Sequence, residues 1–137
     1  MGWSSVAVAA GRLFTLGNVS DVDHVLCLDT ANGKTLWDYK YPCVAADPNG
    51  YPGPRCTPTV DGNLVFTVSR NGHLLYLNTA NGALVWNKNL VNDFGGSVPQ
   101  WGFAGSPLVE AASRLCLHAS TLGFEGATHA APHPFRD

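Results

Sequence analysis

The chain has 137 residues, 45% of them hydrophobic, and carries 8 Lys and Arg against 10 Asp and Glu for a net charge of −2. Length and apolar content suffice for a globular core, but the charge offers no basic field to a phosphate backbone and disfavours nucleic acid as a partner. No apolar run approaches the roughly 20 residues that span a bilayer.

Met1 to Ala10 contains a small apolar run but no basic n-region, and the run stops at Gly11, so it reads as a strand entering a turn and not as an export signal. Ser5 to Val8 and Leu13 to Leu16 make the first two predicted strands, a hairpin closed by Ala9-Ala10-Gly11. Gly17 to Asp23 reads as a flexible polar loop. Val25 to Leu28 and Lys34 to Trp37 are the third and fourth strands, joined by a tight turn at Asn32-Gly33 where glycine accepts the positive φ of a hairpin.

Lys40 to Arg55 contains four prolines, Pro42, Pro48, Pro52 and Pro54, which exclude a central strand and mark a long ordered loop. Cys43 and Cys56 flank it and could be bridged in an oxidising compartment; buried free thiols are the other reading. The strand pattern then restarts: Thr57 to Val60, Leu64 to Ser69, His73 to Leu77 and Ala83 to Trp86, separated by Asp61-Gly62, Asn71-Gly72 and Asn81-Gly82. Three Asx-Gly turns in one unit predict an antiparallel meander. After a second long connection, Asn87 to Gly102, Ser106 to Glu110 answers Thr57 to Asp61 and opens a third unit. From residue 111 the expected turn and strand are missing, and 111–137 is predicted to be an irregular tail, the product of a truncation or a frameshift. His129 and His133 could hold a metal only on an ordered helix, which Pro132 and Pro134 oppose.

The units are copies. Cys-Leu-Asp-Thr-Ala-Asn-Gly-Lys-Thr-Leu-Trp at 27–37 returns as Tyr-Leu-Asn-Thr-Ala-Asn-Gly-Ala-Leu-Val-Trp at 76–86, so Thr30 and Thr79 stand 49 positions apart, while Phe14 and Phe66 stand 52 apart. The three extra residues fall in Gly17 to Asp23. Four-strand units repeated at this spacing predict an all-β fold: a β-propeller fragment of two four-stranded antiparallel blades, about 4–38 and 57–87, with the start of a third at about 104–110. A closed ring needs about four to eight blades, so the chain is predicted to be part of a longer ring or to assemble one from several copies. Trp37 and Trp86 sit on the outermost strand, where burial against the neighbouring blade is worth roughly 1.5 to 3 kcal/mol. Trp37-Asp38 and Gly72-His73 do not make a Trp-Asp propeller repeat, because the second copy reads Trp86-Asn87 and its Gly-His lies too close to the Trp.

Asp29, Gly33 and Trp37, with Asn78, Gly82 and Trp86 in the second copy, resemble the tryptophan-docking motif of PQQ-like, quinoprotein-type propellers. Thr57 to Gly62 and Trp101 to Val109 resemble their blade openings. The resemblance implies that the Trp clamps one blade to the next, that the remaining blades are the chain's first partners, and that it works in the periplasm or at the cell surface. It also implies one of two functions. The first is a noncatalytic assembly scaffold of the BamB type, without cofactor; the second is a fragment of an alcohol dehydrogenase that holds PQQ and calcium. The vicinal cysteines common in such dehydrogenases are absent, since Cys27, Cys43, Cys56 and Cys116 are all separated, and the scaffold is the reading taken forward.

Strand parity sends all three longer connections to one face of the blades, where binding residues usually sit. Candidate contacts there, with other proteins as the partner, are Asp21, Asp23, Tyr41, Asp47, Tyr51, Arg55, Arg70, Asp93 and Trp101. His24 and His73 hold equivalent places, which predicts a repeated structural role for both. No catalytic or metal-binding motif appears. An isolated chain with two uncovered blade faces is predicted to aggregate.

Overall fold

A computed structural model describes residues 1–45, 50, 52–110 and 114–117, with backbone only at 110 and 114–117. Asp47, Tyr51 and the tail histidines lie outside the described residues. Ten strands form, β1 (Ala7–Ala9), β2 (Arg12–Val19), β3 (Val22–Asp29), β4 (Thr35–Pro42), β5 (Thr59–Asp61), β6 (Leu64–Val68), β7 (His73–Asn78), β8 (Leu84–Asn89), β9 (Pro107–Glu110) and β10 (Arg114–Leu117). They pair antiparallel as two four-stranded sheets, β1-β2-β3-β4 and β5-β6-β7-β8, followed by a two-stranded β9-β10 ladder. The fold is all-β, two complete blades and the beginning of another.

Alternation along each strand decides which side is buried. Phe14 and Leu16 on β2 and Val25 and Cys27 on β3 face the second sheet, where Val65, Leu75 and Leu77 meet them; Trp37, Tyr39, Tyr41 and Val60 close the edges of this seam. The other side of the second sheet, with Leu64, Phe66, Val68, Leu74 and Tyr76, packs against Trp86, Phe103 and Val109 on the way to the third unit.

Three sequence expectations are corrected. Gly17 to Asp23 is not a flexible loop: β2 and β3 run through it, pairing Asn18 with Asp23 and Val19 with Val22 around a two-residue turn, Ser20 at φ 51° and Asp21 at φ 62°. A hairpin absorbs three extra residues without losing register when both strands lengthen and the turn tightens. Lys40 to Pro42 belongs to β4, because an edge strand needs no inward N–H at its last residue. The third unit goes one strand further than expected, since Arg114–Leu117 pairs with β9 although no Asx-Gly turn precedes it. Of the two readings open for Cys43 and Cys56, the structure bears out the free, buried thiols.

Each outer strand carries a register shift just before its tryptophan. Cys27 pairs with Trp37 but Leu28 with Thr35, and Tyr76 pairs with Trp86 but Leu77 with Leu84. A bulge re-aims the side chain that follows it, and here that side chain is the indole.

Candidate functional site

Trp37 crosses the seam. Its Nε1 donates to the Thr79 carbonyl at 3.0 Å, its ring lies 5.9 Å from that of Phe14, and it covers Gly82 so closely that a Cβ there would fall 2.7 Å from the indole. Gly82, at φ +71°, serves two needs at once: a left-handed turn and the absence of a side chain under a ring. The turn is pinned by Asn78, whose Oδ1 accepts from Ala80 N at 2.8 Å, as Asp29 Oδ1 accepts from Ala31 N at 2.7 Å in the first copy. Gly33 has the same conformation with open space above it. Trp86 stacks on Tyr76, centroids 4.5 Å apart.

At the other rim the long connections come together as strand parity required. Cys43 N donates to Asp21 O and Ala45 N to Asp21 Oδ1, both at 2.9 Å; Asn71 Nδ2 donates to Val44 O at 3.0 Å and Phe103 N to Arg70 O at 2.9 Å. Asp93, on the second connection, caps Asn89 N at 2.6 Å and lies 3.9 Å from Lys88 Nζ. Of the other predicted contacts, Trp101 is 46% exposed and Arg55 half-buried.

Asp23, Tyr41 and Arg70 do not project from the rim. Asp23 is 1% exposed and Arg70 is buried, its stem against Gly102. Asp23 accepts from Asn18 Nδ2 at 2.7 Å and from the Tyr41 hydroxyl at 3.1 Å, and the Tyr41 ring meets His73 edge-on at 5.5 Å. Asn18 also donates to Cys43 O at 2.9 Å, while His73 Nδ1 lies 3.0 Å from Ser69 Oγ. A buried polar cluster thus stitches the two blades together just beneath the rim. Burial, then the Asp23 charge, pushes Cys43 up to about 12 and Tyr41 well above its usual value; burial lowers His73, with Asp23 opposing. The cluster holds a neutral imidazole, a thiol and a phenol around one carboxylate.

Sequence reasoning missed Asn18, Cys43 and Ser69. Asn18 was legible, since it follows Phe14 and Leu16 in strict alternation on the core side. His24 and His73 share a place but not a partner: His24 Nδ1 lies 3.0 Å from both Asp38 oxygens, with Lys40 Nζ at 3.3 Å. Among the described residues no three His, Cys, Asp or Glu side chains gather to hold a metal. The acid nearest the rim's interior, Asp23, already spends its oxygens on Asn18 and Tyr41. Among the described residues, then, no acidic cluster offers a calcium site.

Repeated four-stranded blades joined by an indole define the fold class. The chain belongs to the PQQ-like repeat family: the family profile described as outer membrane protein assembly factor BamB matches residues 2–116. Among solved structures it is similar to BamB from Moraxella catarrhalis, with 21% identity and TM-score 0.57 over 80% of this chain and 32% of that one. It is as similar to quinohemoprotein alcohol dehydrogenase from Comamonas testosteroni, with 21% identity and TM-score 0.57 over 84% of this chain and 16% of that one. A europium-containing methanol dehydrogenase follows at 15% identity and TM-score 0.54, covering 80% of this chain and 19% of that one. The chain spans a third or less of each of these proteins. No curated protein matches it.

Proposed function

We propose that these blades belong to a larger ring that acts as a noncatalytic scaffold, holding protein partners through the loop rim and no cofactor through the residues described. The observation that supports this reading is the chemistry of that rim. Its polar candidates Asp23, Tyr41 and Arg70 are withdrawn into the seam, while Met1, Val19, Val44, Val98 and Trp101, from 42% to 82% exposed, lie on the segments that meet there. Apolar side chains ringed by polar backbone on a rigid support suit a protein surface. The opposite rim, built from the Asp29–Gly33 and Asn78–Gly82 turns, is polar. Asp21, Asp93 and Trp101 are the predicted contacts left with solvent access or on exposed chain; Arg55 borders them. The Trp37 contact is the tryptophan-docking motif at work on this reading, and a periplasmic or outer-membrane-associated place accompanies it.

Photo-crosslinkers at positions 44 and 101, with controls at 63 and 80 on the opposite rim, test the proposal in the longest native form of the protein. Crosslinked partners at the first pair, lost on joint Val44→Ser and Trp101→Ser substitution, are expected. Titration with PQQ and calcium is the counter-test: a bound-quinone spectrum with dye-linked alcohol oxidation would establish the dehydrogenase reading instead.

A further inference from the structure

Three Asn-Gly pairs fall wholly within the described residues, Asn32-Gly33, Asn71-Gly72 and Asn81-Gly82. Such a pair can modify itself, because the glycine nitrogen can close a five-membered ring on the asparagine Cγ and no glycine side chain hinders its approach. In each pair that nitrogen is already engaged: Gly33 N donates to Asp29 O at 2.8 Å, Gly82 N to Asn78 O at 2.8 Å and Gly72 N to Ser69 O at 3.1 Å. Attack therefore needs the turn to open, and the ease of local opening sets the rate.

The two copied turns carry the same reacting groups. Lys34 N donates to Asn32 Oδ1 at 2.9 Å, as Ala83 N donates to Asn81 Oδ1 at 3.0 Å. Either amide oxygen is thus held by a backbone N–H where negative charge gathers during attack on Cγ. What differs is the cover. Gly82 is buried; a Cβ on it would lie 2.7 Å from the Trp37 ring, and Trp37 Nε1 donates to the Thr79 carbonyl of the same turn. Gly72 is buried as well, with Phe103 at 2.9 Å and Leu90 at 3.2 Å from such a Cβ, and the Asn71 amide is tied to Val44 O at 3.0 Å. Asn32 and Gly33 are both exposed, and nothing lies within 4 Å of a Cβ on Gly33. The Asn32 amide nitrogen is held within its own turn, donating to Asp29 Oδ2 at 3.2 Å.

We infer that Asn32 is a self-modification site, converted through Gly33 to aspartate and isoaspartate while Asn71 and Asn81 are protected. Gly33 N gives its proton to solvent and bonds to Asn32 Cγ; the bond from Cγ to Nδ2 breaks, and that nitrogen takes up a proton and leaves as ammonia. A succinimide ring remains. Water then opens it. Cleavage between Gly33 N and Cγ gives aspartate, and cleavage between Gly33 N and the Asn32 backbone carbonyl carbon gives isoaspartate. One water enters, one ammonia leaves and nothing is oxidised. Either product sets a negative charge beside Asp29 and removes the N–H that Asp29 Oδ2 accepts, so the first turn is the one that weakens with time. The inference is independent of the scaffold reading.

The test incubates the folded full chain at neutral pH and follows each asparagine by proteolytic digestion and mass spectrometry, with aspartate and isoaspartate peptides separated by chromatography. Asn32 is expected to convert about tenfold or more faster than Asn81, the worth of the one net hydrogen bond that Trp37 adds there, and to outpace Asn71 as well. In concentrated urea, where every cover is lost, the three should convert at similar rates. Trp37→Ala uncovers Gly82 and should bring Asn81 toward the rate of Asn32 while Asn71 stays slow; should that variant unfold, Asn71 rises too and the wild-type ranking decides alone. An Asn32 rate in the folded chain no higher than that of Asn81 or Asn71 would overturn the inference. So would a lead for Asn32 that persists in urea, or an Asn81 that stays slow in Trp37→Ala.

Discussion

Thr67 shows how completely the seam excludes water. It is fully buried on β6 between Val65 and Ser69, and its hydroxyl has no partner among the described residues. An unpaired buried hydroxyl costs about 1 to 3 kcal/mol, so Thr67→Val should raise stability by about 1 kcal/mol, read as a higher urea midpoint at unchanged m-value. The polar cluster nearby makes a second residue-level prediction. His73, lowered by burial, refuses a proton that the unfolded chain takes up, so stability is intact above the ordinary histidine value of about 6.5 and falls as pH drops below it. Cys43 and Tyr41 are raised, so their contribution is intact below their ordinary values and falls as pH rises past roughly 8.5 to 10. Each proton bound by only one state contributes a slope of about 1.4 kcal/mol per pH unit. Urea midpoints across pH should show a plateau between the two limbs, with Cys43→Ala flattening the alkaline limb and His73→Gln the acid one.

At the scale of the element, Asx-Gly turns, period-two alternation and the copied Thr-Ala-Asn-Gly text were enough to place both sheets and both tryptophans, because each is a local constraint on φ or on which side is buried. The length of the β2-β3 hairpin was not legible: Ser20 and Asp21 adopt positive φ without glycine, and only pairing with β4 over its whole length makes that strain worth bearing. The two copied turns give a matched experiment. Gly33 and Gly82 have the same φ, so replacement by alanine costs each the same left-handed penalty of about 1 to 2 kcal/mol. Only at Gly82 does the new methyl meet an indole, and overpacking adds about 1 to 3 kcal/mol. Gly82→Ala should therefore be the more destabilising of the two by at least 1 kcal/mol in parallel denaturation curves, a difference that Trp37→Ala erases when combined with it.

The whole molecule is quasi-one-dimensional: each blade touches its neighbours, and stability is shared through seams rather than through one central core. The polar contacts of the loop rim were misjudged in sequence for the same reason. Asp23, Tyr41 and Arg70 looked solvent-facing because each sits beside a turn within its own blade, but the neighbouring blade and its connections bury them, and a single-blade reading cannot see across a seam. The same logic applies to the outer side of the first sheet, where Val8 is 63% exposed on the side it shares with Leu13, Leu26 and Leu28. Apolar strands displayed in register are a template for association. Sedimentation of the isolated chain should show mass rising with concentration, and Val8→Lys with Leu26→Lys should return it toward monomer, since burying a lysine in a blade contact is strongly opposed. The substitutions lie on the side facing away from Trp37, so the Trp37–Thr79 seam should survive them with little change in near-ultraviolet dichroism. A chain that sediments as a monomer at all concentrations, with or without the lysines, would mean that the outer side of the first sheet does not drive association.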